Sequence, residues 1–168
     1  MMMKRLKYLL ISIFIMFAIY NVIWATYVFF LYCPYINELG GTKHWENDGY
    51  AYYVYLPSYL SFVNGNLYIS ERKELNDISK EGCISLIIWP HIDGHCDISV
   101  FVQTPETYDS ETHDVYVASY GLRLDENLMP DLSEEINASI YSEHEELFLQ
   151  NWDDVENIIA AAEIRWHL

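Results

Sequence analysis

Residues 84–103 read ISLIIWPHIDGHCDISVFVQ, and this stretch decides which kind of fold the chain can adopt. Two apolar runs, Ile84–Trp89 and Ile98–Gln103, flank a short polar segment. β-Branched and aromatic residues favour strands, and Asp93-Gly94 between the runs is typical of a tight turn because glycine tolerates positive φ. The stretch therefore predicts an antiparallel hairpin within a β-sheet.

Similar strand-like segments lie on both sides of this hairpin. They are Tyr50–Leu56, Tyr59–Val63, Leu67–Ser70 and Val115–Leu124, the last with an expected bend at Gly121. The turn-forming residues Asn64-Gly65-Asn66 predict that the second and third segments form another hairpin. The polar segment Pro105–Asp114 is expected to be an exposed loop.

The C-terminal part changes to a helical period. Apolar residues recur there at spacings of three and four, namely Val155, Ile158, Ile159, Ala162 and Trp166. Asp153 and Glu156 resemble a capping box, and a second helix is predicted between Ser133 and Gln150 with Ser133 as its cap. The predicted fold class is α+β, with a mostly antiparallel sheet and one or two C-terminal helices packed on it.

The N-terminal run from Tyr8 to Phe30 contains no charged residue. At about 1.5 Å per residue a helix of this length crosses a hydrocarbon core of about 30 Å. A cleaved signal peptide has a shorter apolar run followed by small residues, whereas bulky aromatic residues follow here, which favours a retained signal anchor. The basic residues Lys4, Arg5 and Lys7 predict a cytoplasmic N-terminus.

These features divide the chain into three parts. Residues 1–33 are expected to form the cytoplasmic tip and transmembrane anchor, residues 34–49 a juxtamembrane tether, and residues 50–168 an acidic α+β domain. The predicted protein is a single-pass membrane protein whose soluble domain lies outside the cytoplasm, in the periplasm if the cell is Gram-negative. Its oligomeric state is left open.

The part outside the anchor is strongly acidic. Residues 34–168 contain 6 Lys and Arg and 25 Asp and Glu, so 6 − 25 gives −19 before any histidine is charged. Such a field repels nucleic acid and attracts cationic partners. Nucleic-acid binding is thus excluded, and a basic protein partner is expected.

Acidic residues are densest near the C-terminus, where residues 125–168 contain 12 Asp and Glu against one basic residue, Arg165. The candidates for contact with a basic partner are Glu134, Glu135, Glu143, Glu145, Glu146, Asp153 and Asp154. The alternatives are a solvated helix face and paired catalytic carboxylates. The second needs a spatial separation that sequence does not reveal.

The turn of the central hairpin contains candidate metal ligands. In an extended segment His91, Asp93 and His95 point to one side, and imidazole and carboxylate groups bind zinc or copper. The alternative is an ordinary polar turn. Cys83 and Cys96 flank the hairpin and are candidates for a disulfide. A turn centred on Asp93-Gly94 pairs Ile88 with Ser99 and separates the two cysteines, so the bridge needs a different register.

A group of tyrosines is the remaining candidate surface: Tyr50, Tyr52, Tyr53, Tyr55 and Tyr59. Tyrosine is enriched at protein interfaces, and with carboxylates it suits glycan or peptide binding. Strand alternation predicts that about half of these side chains face the core.

The chain lacks a nucleophile elbow, a glycine-rich phosphate loop, a paired CxxC and an HExxH motif. It therefore favours a binding protein over an enzyme, and no cofactor is required. The expected function is a membrane-anchored, extracytoplasmic protein-binding module, such as an inhibitor or immunity-type protein that captures a cationic toxin or cell-wall-degrading enzyme. The alternative is an accessory or sensor protein that binds a metal through the His91–His95 turn or a glycan through the tyrosine-rich surface.

Overall fold

The secondary structure begins with a long helix, continues through strands and ends with helices. The computed structural model describes residues 2–47, 49–59, 63–71, 84–104, 107–108, 115–116 and 118–168. The elements are α1 (Met2–Glu38), β1 (His44–Asn47), β2 (Tyr50–Tyr55), β3 (Asn66–Glu71), β4 (Ile84–Pro90), β5 (Cys96–Gln103), β6 (Thr107–Tyr108), β7 (Val115–Tyr116), β8 (Ser119–Leu124), α2 (Glu135–Glu143), α3 (Glu145–Gln150) and α4 (Trp152–Trp166).

The main sheet has six antiparallel strands in the order β1-β2-β3-β4-β5-β8, and β6 and β7 form a separate two-stranded ribbon. Five of the six strands are neighbours in both sequence and space, the usual arrangement for consecutive strands. The prediction of an α+β fold with a mostly antiparallel sheet is confirmed. Three C-terminal helices are present, one more than the upper number predicted.

The predicted hairpin of residues 84–103 is confirmed as β4 and β5, but with a register shifted by one residue. Ile88 pairs with Ile98, not with Ser99. The connection is centred on Asp93 because the N–H of His91 donates to the carbonyl of His95 over 2.9 Å. Gly94 closes this turn with a φ of +90°, a value that L side chains rarely adopt.

The other predicted hairpin is wrong in its pairing. Strand β3 contains the predicted Leu67–Ser70 segment, but its two neighbours are β2 and β4. The segment Tyr59–Val63 is therefore not its partner, and residues 60–62 lie outside the described part of the chain. Most of the predicted loop Pro105–Asp114 also lies outside it.

The hydrophobic core lies between the sheet and a layer of helices. Helix α4 crosses β3 and β4, and its predicted apolar residues Val155, Ile158, Ile159, Ala162 and Trp166 are all buried. They pack with inward-facing sheet residues such as Leu67, Leu86, Val100 and Leu122. The helical period in the sequence thus identified the correct face.

The predicted helix ends are wrong. Asp153 lies inside the first turn of α4, whose N-cap is Asn151, and no side chain caps this helix. The segment predicted as one helix from Ser133 is divided into α2 and α3 at His144, whose ring stacks on Tyr120 with the centroids 3.6 Å apart. Ser133 donates its hydroxyl hydrogen bond to Asp131 and does not cap α2.

Helix α1 continues beyond the apolar run and joins the core. Residues predicted as a tether form its last turns, up to Glu38, and strand β1. One stripe of the helix, with spacings of three and four, is buried or half-buried: Asn21, Trp24, Val28, Tyr32, Tyr35 and Leu39 just beyond its end. Tyr32 and Leu39 are 1% and 2% exposed and belong to the core. The C-terminal part of α1 therefore packs against the sheet.

Arg165 of α4 closes this junction. Its guanidinium donates to the carbonyl oxygen of Glu38 over 3.1 Å and lies 3.8 Å from the ring centroid of Trp45. The last turn of α1 contains no basic residue of its own, so Arg165 supplies the positive charge that favours a helix C-terminus. The N-terminal half of α1 differs, because residues 5–20 are exposed. By length and composition α1 is able to cross a membrane.

The contact between α4 and the sheet predicts a large difference between two isoleucines of this helix. Ile158 is fully buried, whereas Ile164 is 78% exposed. We expect Ile158→Ala to lower the free energy of unfolding by about 2–5 kcal/mol, because it leaves a cavity in the core. Ile164→Ala, the matched control, should change it by no more than about 0.5 kcal/mol. Urea unfolding of the full chain in detergent measures both values, and equal values would contradict the described core.

Candidate functional site

The seven predicted partner-binding residues all lie on or next to the three C-terminal helices. Glu134 directly precedes α2, while Glu143 and Glu145 flank the junction with α3 at His144. All seven are exposed except Asp154, which is half-buried. We call this set the acidic face: Glu134, Glu135, Glu143, Glu145, Glu146, Asp153 and Asp154.

Most of the acidic face also has a local structural role. Glu135, Glu145, Glu146, Asp153 and Asp154 lie in the first turns of their helices. A carboxylate there interacts favourably with the positive end of the helix dipole, by about 0.3–1 kcal/mol at a surface. None of the three helices has a side-chain cap, so these charges replace capping. Because four of these five carboxylates are exposed and Asp154 is half-buried, this role leaves them accessible to a partner.

Nearby basic residues neutralise little of this charge. Residues 118–168 contain two basic side chains apart from histidine, Arg123 and Arg165. Arg123 pairs with Glu134 over 3.0 Å and with Asp97 over 2.7 Å. Arg165 is held against Trp45 and the end of α1. In the described part of the chain, Glu134 is the one member of the acidic face with an ion pair.

Asn137 attaches this helical layer to the edge of the sheet. Its side chain is buried, its Oδ1 accepts the N–H of Arg123 over 3.0 Å, and its Nδ2 donates to the carbonyls of Arg123 and Asp131, each over 2.8 Å. These bonds satisfy backbone groups at the free edge of β8. No feature of the sequence separates Asn137 from an ordinary exposed asparagine, and sequence reasoning missed it.

The hairpin tip brings together His91, His95 and Asp97, whose ligand atoms lie within 4.8 Å of one another. The Nε2 atom of His91 is 2.9 Å from Oδ2 of Asp97, and the two imidazole rings stack with centroids 4.1 Å apart. Asp93, which the sequence predicted as a ligand, instead contacts Nδ1 of His95 over 2.6 Å. Sequence reasoning missed Asp97, although it continues the alternation of the three predicted residues.

Hydrogen bonds keep both aspartates of the tip ionised. The hydrogen bond from His95 lowers the pKa of Asp93. Burial alone would raise the pKa of Asp97, but the hydrogen bonds from His91 and Arg123 outweigh it, and the pKa is lowered. The two carboxylates are therefore negative at neutral pH.

A groove of about 920 Å³ lies beside the tip, between β5, β8 and the end of α4, and its lining includes Asp97 and Asp125. Asp125 accepts the backbone N–H groups of Met129 and Asn127, and the first of these bonds contributes most to lowering its pKa. A general acid at neutral pH needs a raised pKa. These two carboxylates do not fit that role.

The disulfide between Cys83 and Cys96 remains a prediction. Cys96 is a half-buried free thiol whose pKa is raised by burial, and Cys83 lies outside the described residues. Cys96 pairs with Pro90 at the tip, whereas Ile84, at the other end of β4, pairs with Val102. A bridge between the cysteines would need a register different from this one.

The predicted tyrosine surface is divided among three places. Tyr50 and Tyr52 pack towards the core, while Tyr53 and Tyr55 stack on the opposite face of the sheet with centroids 5.9 Å apart. Tyr68, opposite Tyr53 in the next strand, joins that pair. The fifth tyrosine, Tyr59, contacts α1. The structure therefore leaves a smaller aromatic patch than the sequence predicted.

Comparisons with known proteins complete the description of the site. We found no family model, no curated protein and no solved structure that matches this chain.

Asn137 provides a test of how the acidic face is positioned. We expect Asn137→Ala to lower the free energy of unfolding by about 1–3 kcal/mol, because the part-buried N–H of Arg123 and carbonyl of Asp131 lose their hydrogen bonds to the Asn137 side chain. Ser139→Ala is the control, since the Ser139 hydroxyl is exposed and bonds only Glu143 among the described residues. Urea unfolding measures both, and a loss no larger for Asn137→Ala than for Ser139→Ala would contradict the attachment of α2 to β8.

Proposed function

We propose that this protein is a membrane-anchored module that captures a cationic protein beside the membrane. The main support for the proposal is that the acidic face is largely exposed and its charge is largely unpaired. Among the described residues, Arg123 is the one basic side chain that pairs with it. Unneutralised charge of one sign speeds encounter with an oppositely charged partner and selects against partners of like charge.

The anchor in this proposal is the apolar part of α1 that follows the basic residues. A hydrocarbon core needs about 20 apolar residues, which from Tyr8 extend to about Tyr27. The basic residues Lys4, Arg5 and Lys7 would hold the N-terminus in the cytoplasm, so the acidic domain would lie on the other side. Exposed apolar side chains along this part of the helix support insertion, because water would leave them unpartnered.

The same placement positions the domain at the membrane surface. Tyr59, in the loop after β2, donates to Oδ1 of Asn21 over 2.6 Å and packs edge-on against Trp24 with the centroids 5.1 Å apart. Tyr20 donates to the carbonyl of Tyr59. These residues lie in the outer part of the proposed span, on the side where tyrosine and tryptophan favour the interface.

A domain held in this way has a restricted position. Its acidic face would stay within a short distance of the bilayer, where the effective concentration of the module is high for any partner that arrives there. An inhibitor or immunity-type protein acting on a basic toxin or cell-wall-degrading enzyme fits this arrangement.

The proposal predicts that position, and not only total charge, determines capture. We expect the double variant Glu145→Gln/Glu146→Gln to bind a basic protein about 2–30-fold more weakly than wild type, if each surface charge contributes about 0.2–1 kcal/mol. The matched control, Glu126→Gln/Glu163→Gln, removes the same charge from the groove side of the domain. Lysozyme, a basic cell-wall-degrading enzyme, is a suitable first probe of the full chain in detergent, measured by surface plasmon resonance.

Salt provides the second part of this test. The binding should weaken steeply as ionic strength rises, because charges separated by more than about 8–10 Å are screened at physiological salt. Equal loss in the two double variants, binding that salt leaves unchanged, or no binding of basic proteins at low salt would contradict capture by the acidic face.

A further inference from the structure

The tip of the β4–β5 hairpin has the composition and spacing of a metal site. His91, His95 and Asp97 each offer one ligand atom, and these atoms lie within 4.8 Å of one another. Zinc binds imidazole nitrogen and carboxylate oxygen at about 2.0–2.2 Å, so two ligand atoms of one tetrahedral ion are about 3.3–3.6 Å apart. The three side chains therefore have to move closer together to share an ion.

The two imidazole rings require a rotation to bind a common ion. They are almost parallel, at 6°, so their in-plane lone pairs do not converge. Both side chains are substantially exposed, at 41% for His91 and 57% for His95. Rotation about their side-chain torsions is therefore not blocked by packing.

Asp93 prepares His95 for coordination. Its Oδ1 lies 2.6 Å from Nδ1 of His95, and this contact places the ring proton on Nδ1 in the neutral imidazole. The lone pair is then on Nε2, which is free to bind a metal. Histidine ligands usually donate their second ring N–H to a carboxylate in this way. Asp93 thus has the role of an orienting residue, and Asp97 takes the place of the third ligand.

Arg123 is the one basic side chain that contacts this cluster among the described residues, and it leaves a ligand position open. Its guanidinium contacts Oδ1 of Asp97 over 2.7 Å, whereas His91 contacts Oδ2. Its charge is also shared with Glu134 at 3.0 Å. The second oxygen of Asp97 can therefore bind a cation once the hydrogen bond from His91 is replaced.

The backbone holds the ligands at this spacing. The N–H of His91 donates to the carbonyl of His95, and the N–H of Gly94 donates to the carbonyl of His91 over 3.1 Å. We propose that this tip binds one Zn²⁺ ion through His91, His95 and Asp97. Three protein ligands leave the fourth tetrahedral position for a water molecule or for a group of a bound partner.

Titration calorimetry of the full chain in detergent with Zn²⁺ tests this site. We expect one ion per chain, and a loss of affinity of about 10–100-fold in Asp93→Asn, the value typical of a lost orienting residue. His91→Ala, His95→Ala and Asp97→Ala should each lose more than Asp93→Asn. His44→Gln is the matched control, because His44 is an exposed histidine next to a carboxylate, Glu46, away from the tip.

Cobalt substitution gives an independent readout. Co²⁺ at the tip should show the strong visible absorption of a four-coordinate ion, and His95→Ala should abolish it while circular dichroism and urea unfolding stay as in wild type. Failure of wild type to bind Zn²⁺, affinity unchanged in His91→Ala and His95→Ala, or an equal loss in His44→Gln would overturn the proposal. A larger loss in Asp93→Asn than in Asp97→Ala would overturn the assignment of the two aspartates.

Discussion

The packing of the last turns of α1 against the sheet and α4 is the contact on which the rest of the structure depends. Tyr32 and Leu39 occupy the same core as Ile69 of the sheet and Ile158 of α4. Arg165 binds the carbonyl of Glu38 at the end of the helix. One rigid element thus extends from the exposed apolar half of α1 into the core, and a hinge between them would have to break these contacts.

The two candidate surfaces lie in different parts of the domain against which α1 packs. Helix α4 contacts α1 directly, and the acidic face occupies α2, α3 and the first turn of α4 in the same helical layer. The hairpin tip lies on the far side of the groove that α4 borders. The proposed capture of a cationic protein and the proposed binding of zinc would therefore use different residues. In the described part of the chain, Arg123 contacts both groups of residues, through Glu134 and Asp97.

The sequence predicted the elements that have a clear local signal. The central hairpin was marked by two apolar runs around a turn, and the buried face of α4 by apolar residues at spacings of three and four. The buried stripe of α1 was not predictable in this way. Most positions around it are apolar, so no period distinguishes Val28, which is buried, from Phe30, which is 74% exposed. Pro34 and the glycines of residues 34–49 made this segment resemble a tether, although residues 34–38 continue α1.

The candidate sites were predictable in type and less so in detail. Charge density identified the acidic residues, and the alternation of histidine and aspartate identified the hairpin tip. The assignment of roles to Asp93 and Asp97 depends on a register shifted by one residue, which the turn geometry sets and the composition does not reveal. Asn137 acts through contacts with distant backbone groups, and such contacts leave no local pattern.

Hydrogen exchange across the end of α1 tests the central claim most directly. In the full chain reconstituted in bilayers, the amides of residues 35–38 should exchange as slowly as those of the core strands β3 and β4, because they would open only with the whole domain. Rapid exchange of the amides of residues 35–38, while the amides of β3 and β4 stay protected, would indicate a flexible tether. This result would contradict the rigid packing of α1 against the sheet.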